Sequence, residues 1–286
     1  MSAALPLLLV SALLAQVPRE NRFLQVKSAS YDAEHGRFVA EGNVAGLPAG
    51  AILAASVGLP DVPPLWTRGT PEGGTFRLEI ATDGREVLPG RYEVRVQVRP
   101  EDQDPTAPPL PKGLGVVGLD TMVGSADAAK QARSRLVKED LAALEELRRL
   151  LATAGEASRA ARQAQSLGPL KAKAFPEGVV WKRFAELRDA QGARDLKLFL
   201  HPAPAEQQSM AAVFGTWEKW FLSMWEETAA QVRVELPEEI GQLGAGGMFD
   251  RALVEDELRD VALAAYKSLG ARSVEWKSGL PGPKDR

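Results

Sequence analysis

"GTFRLEIATDGREVLPGRYEVRVQV" (residues 74–98) holds two runs with the two-residue period of a β-strand, separated by a turn rich in Asp, Gly and Pro. In the second run Tyr92, Val94, Val96 and Val98 fall on one face, and Glu93, Arg95, Gln97 and Arg99 on the other. That is the pattern of a half-buried antiparallel strand.

The same texture extends back to Phe23. "FLQVKSASYD", "RFVAEGNVAG", "AILAASVG" and "LWTRGT" are apolar or β-branched runs, divided by "AEHG", "LPAG" and "LPDVPP". Six or seven short strands in under 80 residues predict an antiparallel β-sandwich over residues 23–100. The stretch with Gly74-x-Phe76, then Leu88-Pro89-Gly90-x-Tyr92 leading into an alternating strand, resembles the last part of immunoglobulin- and fibronectin-type modules of secreted bacterial proteins. The resemblance covers about 80 residues and implies an Ig-like fold, in which Tyr92 would make the corner hydrogen bond at the start of a strand. A fold of this kind implies no particular activity.

Residues 101–124 read as a Pro/Gly-rich linker, because "PEDQDPTAPPLPK" is dense in proline and acids and is followed by glycines. "EDQD" lacks the glycine and closing carboxylate of a calcium loop. Gly113, Gly115 and Gly118 have the G-x-G-x-x-G spacing of a dinucleotide site. The preceding prolines forbid a central strand, and no helix opens directly after the glycines, so they read as a junction or a short edge strand.

Beyond Ser125 the period changes to 3.6, and residues 125–270 predict an α-helical bundle. Val137, Leu141, Leu144, Leu147 and Leu151 stripe one helix, and "EASRAARQAQS" suggests a second, short one. Val180, Phe184 and Leu187 mark a third, and "ARDLKLFLHP" fits helix or strand equally. The longest helix is expected over residues 205–236, ended by Pro237, with Phe214, Trp217, Phe221 and Trp225 on one face. A last helix is expected to run to Leu269 with Gly270 as its cap, leaving 271–286 as a flexible tail. The chain is therefore expected to be α+β in two domains.

Residues 1–15 have the short apolar run and small residues of a signal peptide, cut after Ala15, which predicts a periplasmic or extracellular protein. No later segment is apolar enough to span a membrane. The formal charge is −3, spread evenly along the chain, which excludes the basic footprint of a nucleic-acid binder. No cysteine is present, so disulfides, thiolate nucleophiles, zinc–thiolate sites and iron–sulfur clusters are excluded. With only His35 and His201, and no G-x-S-x-G or Ser-x-x-Lys, no catalytic residue, metal ligand or cofactor is assigned.

Two tryptophans are candidate binding residues. Trp66 follows a Pro-rich loop, and Trp220 lies about 60° off the aromatic stripe of its helix, where a groove could expose it. The reading is an exported, non-enzymatic interaction or structural protein with a protein or glycan partner. The alternatives are a carbohydrate- or peptide-binding protein using Trp66 or Trp220, and a glycan hydrolase. The hydrolase would draw its acid and base from Glu226-Glu227, Glu238-Glu239 or "EDELRD" at 255–260, although periodicity places Asp256, Glu257 and Asp260 on a solvated face.

Overall fold

A computed structural model describes residues 20–59, 65–106, 108–165, 177–232 and 251–277. The chain is α+β. Among the described residues, seven strands form two antiparallel sheets, and four helices follow. Its contacts divide it into two compact units, Met1–Gly84 with Pro89–Ser125, and Arg85–Leu88 with Ala126–Arg286. The expected signal segment and the Gly-rich loop at 241–248 lie outside the described residues.

In the first unit the strands are β1 (Leu24–Asp32), β2 (Arg37–Val44), β3 (Leu53–Gly58), β4 (Leu65–Gly69), β5 (Thr75–Ala81), β6 (Gly90–Val98) and β7 (Val117–Val123). One sheet has the order β1-β2-β5 and the other β4-β3-β6-β7. All six runs read from the sequence are strands. Phe38 on β2 and Tyr92 on β6 bring the two sheets into contact, with ring centroids 5.2 Å apart. Burial pushes the Tyr92 hydroxyl pKa up to about 12. Gly42 sits opposite a bulge in β1 at Val26–Ser28, where any Cβ would overlap the Gln25 carbonyl and the Phe76 ring.

The segment read as linker contributes structure. Within 101–124, residues Val117–Val123 form β7, paired with β6 along its length, and the unit runs on to Ser125. Gly118, the last glycine of the G-x-G-x-x-G, pairs with Arg95 on this edge strand. The sequence disguises β7 because glycine has little strand propensity and the prolines ahead read as a hinge. An edge position asks less of a strand, since it pairs on one side only.

In the second unit α1 is Ala126–Gln165, α2 Glu177–Lys197, α3 Pro204–Val232 and α4 Arg251–Ser268. The separate short helix expected at 156–166 is the far end of α1, which makes α1 the longest described helix in place of α3. Gly155 costs a helix about 1 kcal/mol relative to alanine, but tertiary packing outweighs that. Ala154 is buried in the core, and Ser158 shares a 2.6 Å hydrogen bond with Thr228 of α3. The ambiguous stretch resolves into helix as far as Lys197. The chain then bridges back to Glu86 through Glu86 N–H to Lys197 O (2.7 Å) and Phe199 N–H to Glu86 O (2.8 Å).

α4 ends in a Schellman motif, with Gly270 at φ +68°, its N–H on Lys267 O (3.1 Å) and Ala271 N–H on Tyr266 O (2.9 Å). The tail after it is anchored over its described part. Trp276 is 3% exposed and belongs to the helical core. A lone indole in a polar segment carries no periodicity, so its burial leaves no trace in the pattern.

Candidate functional site

β4 alternates between half-buried and exposed residues, which turns Trp66 and Arg68 outward. Register places Ser56 and Ala54 of β3 beside them, then Arg95 and Gln97 of β6, all on one face of the sheet. The middle strand carries small buried residues, and long side chains stand on either side of it. Trp66 is 43% exposed, and the Arg99 guanidinium lies 5.0 Å from its ring centroid, within cation–π range.

After β6 the chain makes a short 3-10 turn, Pro100–Asp102, which Gln103 locks in place. Its side-chain oxygen accepts the Ile52 N–H (2.8 Å), and its amide donates to Ile52 O and Arg99 O (2.9 Å each). The turn delivers two carboxylates to the arginines of this face. Glu101 pairs with Arg99 at 2.5 Å, and Asp102 Oδ1 with Arg68 at 2.7 Å. A backbone N–H and Arg99 hold Glu101 below the usual carboxylate range. The Asp102 side chain is only 4% exposed, and its Oδ2 has no hydrogen-bond partner, the Arg99 Nε standing 3.8 Å away. Ser56 Oγ, also buried, has none either.

Trp220, the other sequence candidate, is 0% exposed. It lies 6.0 Å from Trp217, whose ring stacks between Phe184 (4.3 Å, 14°) and Phe221 (5.3 Å, 11°). The expectation of an exposed edge fails because every residue of α3 from 220 to 225 is buried, so this part of the helix has no exposed edge. Val213, Phe214, Trp217, Trp220, Phe221, Leu222, Met224 and Trp225 are all buried, as in a helix enclosed by its neighbours.

The second unit also holds a polar cluster that spacing alone does not reveal. Asp140 of α1 accepts from Arg194 (2.8 Å) and Gln191 (3.1 Å) of α2, and Arg194 also meets Asp195 (3.0 Å). His201 is buried nearby. Its Nδ1 accepts the Ala203 N–H (3.1 Å) just before α3, so the neutral ring carries its proton on Nε2. Burial lowers the His201 pKa, Arg194 adds to the effect, and Asp195 and Asp140 oppose it.

The imidazole therefore acts as a neutral acceptor at the start of α3, and its titration is a stability test. Unfolded histidine protonates near pH 6.5 and the folded ring at a lower pH. Its contribution is therefore intact above about pH 6.5 and lost as the pH falls from there toward the folded value. The melting temperature is expected to fall as the pH drops below about 6.5. His201→Asn keeps an acceptor without a titrating ring, so it should flatten that slope. An unchanged slope in the variant would refute this role.

Of the acid clusters, Asp256, Glu257 and Asp260 of α4 are exposed, as periodicity places them. Asp256 pairs with Arg259 (2.7 Å) and Glu257 with Lys219 (3.5 Å), the behaviour of a solvated helix face. Glu226 and Glu227 are half-buried on α3, and Glu238 and Glu239 lie outside the described residues. No described helix is long and apolar enough to cross a membrane. Comparison with protein-family models, curated proteins and solved structures finds no match to this chain.

Proposed function

We propose that this chain is an exported interaction protein rather than an enzyme. In this reading an Ig-like β-sandwich carries the contact surface and is joined to an α-helical bundle, and the protein acts in the periplasm or outside the cell. The observation that carries it is Trp66, a large aromatic left in solvent on an outward sheet face and held by Arg99. The strand orders support the Ig-like assignment. In this reading β1-β2-β5 would be strands A-B-E and β4-β3-β6-β7 strands C′-C-F-G, and Tyr92, near the start of β6, would be the corner tyrosine. The signal-like first 15 residues support export.

In the native host, a C-terminally tagged chain is expected outside the cytosol with Gln16 as its first residue. A cytosolic chain that keeps Met1 would overturn export. A photo-crosslinking residue in place of Arg68 should give discrete adducts in the host, whereas the same probe at Asp256 should give none. Loss of that difference would overturn the contact surface.

A further inference from the structure

We propose that the outward face of the four-stranded sheet around Trp66 binds an uncharged sugar chain, an inference that rests on the reading of this face as the contact surface. Three observations favour a neutral polyol. First, the indole is the apolar centre of a patch whose other members are planar hydrogen-bonding groups. The C–H face of a pyranose can lie on an indole while adjacent hydroxyls chelate a guanidinium or a carboxylate.

Second, the charges here cancel. Arg68 and Arg99 face Glu101 and Asp102 within 2.5–3.8 Å, so the surface has donors and acceptors but no net pull on an anion. A phosphate, a nucleic acid or an acidic glycan would have to break these pairs and would meet two carboxylates. Hydroxyl groups can share them, because each donates and accepts.

Third, two polar atoms beside the indole lack partners. Asp102 Oδ2 stands 3.8 Å from Arg99 Nε, with the other carboxylate oxygen on Arg68, and Ser56 stands directly across the register from Trp66. A buried acceptor without a donor costs free energy, and a sugar hydroxyl that reaches it as the Arg99 side chain shifts would recover that cost. An added peptide strand is the poorer occupant. β4 is five residues long, and Pro64 and Pro71 bracket it, so its edge offers few backbone groups.

The test applies the full mature chain to an array of neutral and acidic glycans, then follows the responding neutral oligosaccharide by titration calorimetry. Binding to a neutral oligosaccharide is expected. It should weaken at least about tenfold in Trp66→Ala and in Asp102→Asn, and much less in Trp66→Tyr. It should change little between low and moderate salt. Because Trp66 is 43% exposed and lies outside the core, Trp66→Ala should melt within a few degrees of the wild type, which separates lost binding from lost fold. A response confined to acidic glycans, or neutral binding that Trp66→Ala leaves intact, overturns the proposal. An array with no response, alongside Arg68 crosslinks to protein, overturns the sugar ligand but spares the contact surface. With neither response nor crosslinks, both readings fall.

Discussion

Trp217→Ala is expected to destabilise the helical unit by about 3–5 kcal/mol, a large part of the stability of an ordinary domain. Trp217 is fully buried, and its ring lies against Phe184 of α2 and Phe221 of α3. Its indole N–H donates to Leu147 O of α1 at 3.1 Å. One side chain therefore joins three helices through two stacks and a hydrogen bond. Truncating it opens a cavity that rigid rings cannot fill by shifting, so the transfer and cavity terms add. Trp217→Phe keeps an aromatic ring between the same partners and loses the donor, and should cost about 1–3 kcal/mol. Urea unfolding followed by far-ultraviolet circular dichroism measures both. An alanine variant within about 1 kcal/mol of the wild type would mean that the stack is not the centre of this core.

The fate of the two candidate tryptophans shows what a one-dimensional pattern can carry. The strands are legible because turn residues and either alternation or a short apolar cluster are local signals, and β1 to β6 carry them; β3, buried throughout, is of the clustered kind. β7 has neither in full, and its identity comes from β6, about 20 residues upstream in the chain. Trp220 departs from its pattern because an angle about one helix axis says which side a residue is on, not how many neighbours enclose that helix. Around Trp220, α3 is buried on every side from residue 220 to 225. Trp66 was legible as a candidate, but its companions were not. Arg99, Glu101 and Asp102 reach it only because β3 holds β4 and β6 on its two sides, and because Gln103 fastens the following turn to Ile52. No spacing rule joins position 66 to position 102. The His201 cluster is hidden for the same reason, since α1, α2 and the loop before α3 each supply part of it.

Arg194→Met is the second substitution expected to be severe, at about 3–5 kcal/mol, because it strands a buried charge. Asp140 is 1% exposed, and Arg194, at 19%, is its cationic partner at 2.8 Å. Burial by itself would depress the guanidinium pKa. The charge of Asp140 and its hydrogen bond, helped by Asp195, more than reverse this and raise it. Without Arg194, only the Gln191 amide at 3.1 Å remains on the Asp140 carboxylate. Asp195 and Glu139, the other acids on Arg194, are less enclosed and can recover water. The penalty therefore falls on Asp140. Removing both charges tests this directly: Asp140→Leu with Arg194→Met should recover most of the lost stability, since an apolar pair of similar volume needs no compensation for desolvation. A double-mutant cycle by urea unfolding is expected to show strong coupling between the two positions. Single and double variants of equal stability would mean that the pair is solvated, with Asp140 no more constrained than a surface carboxylate.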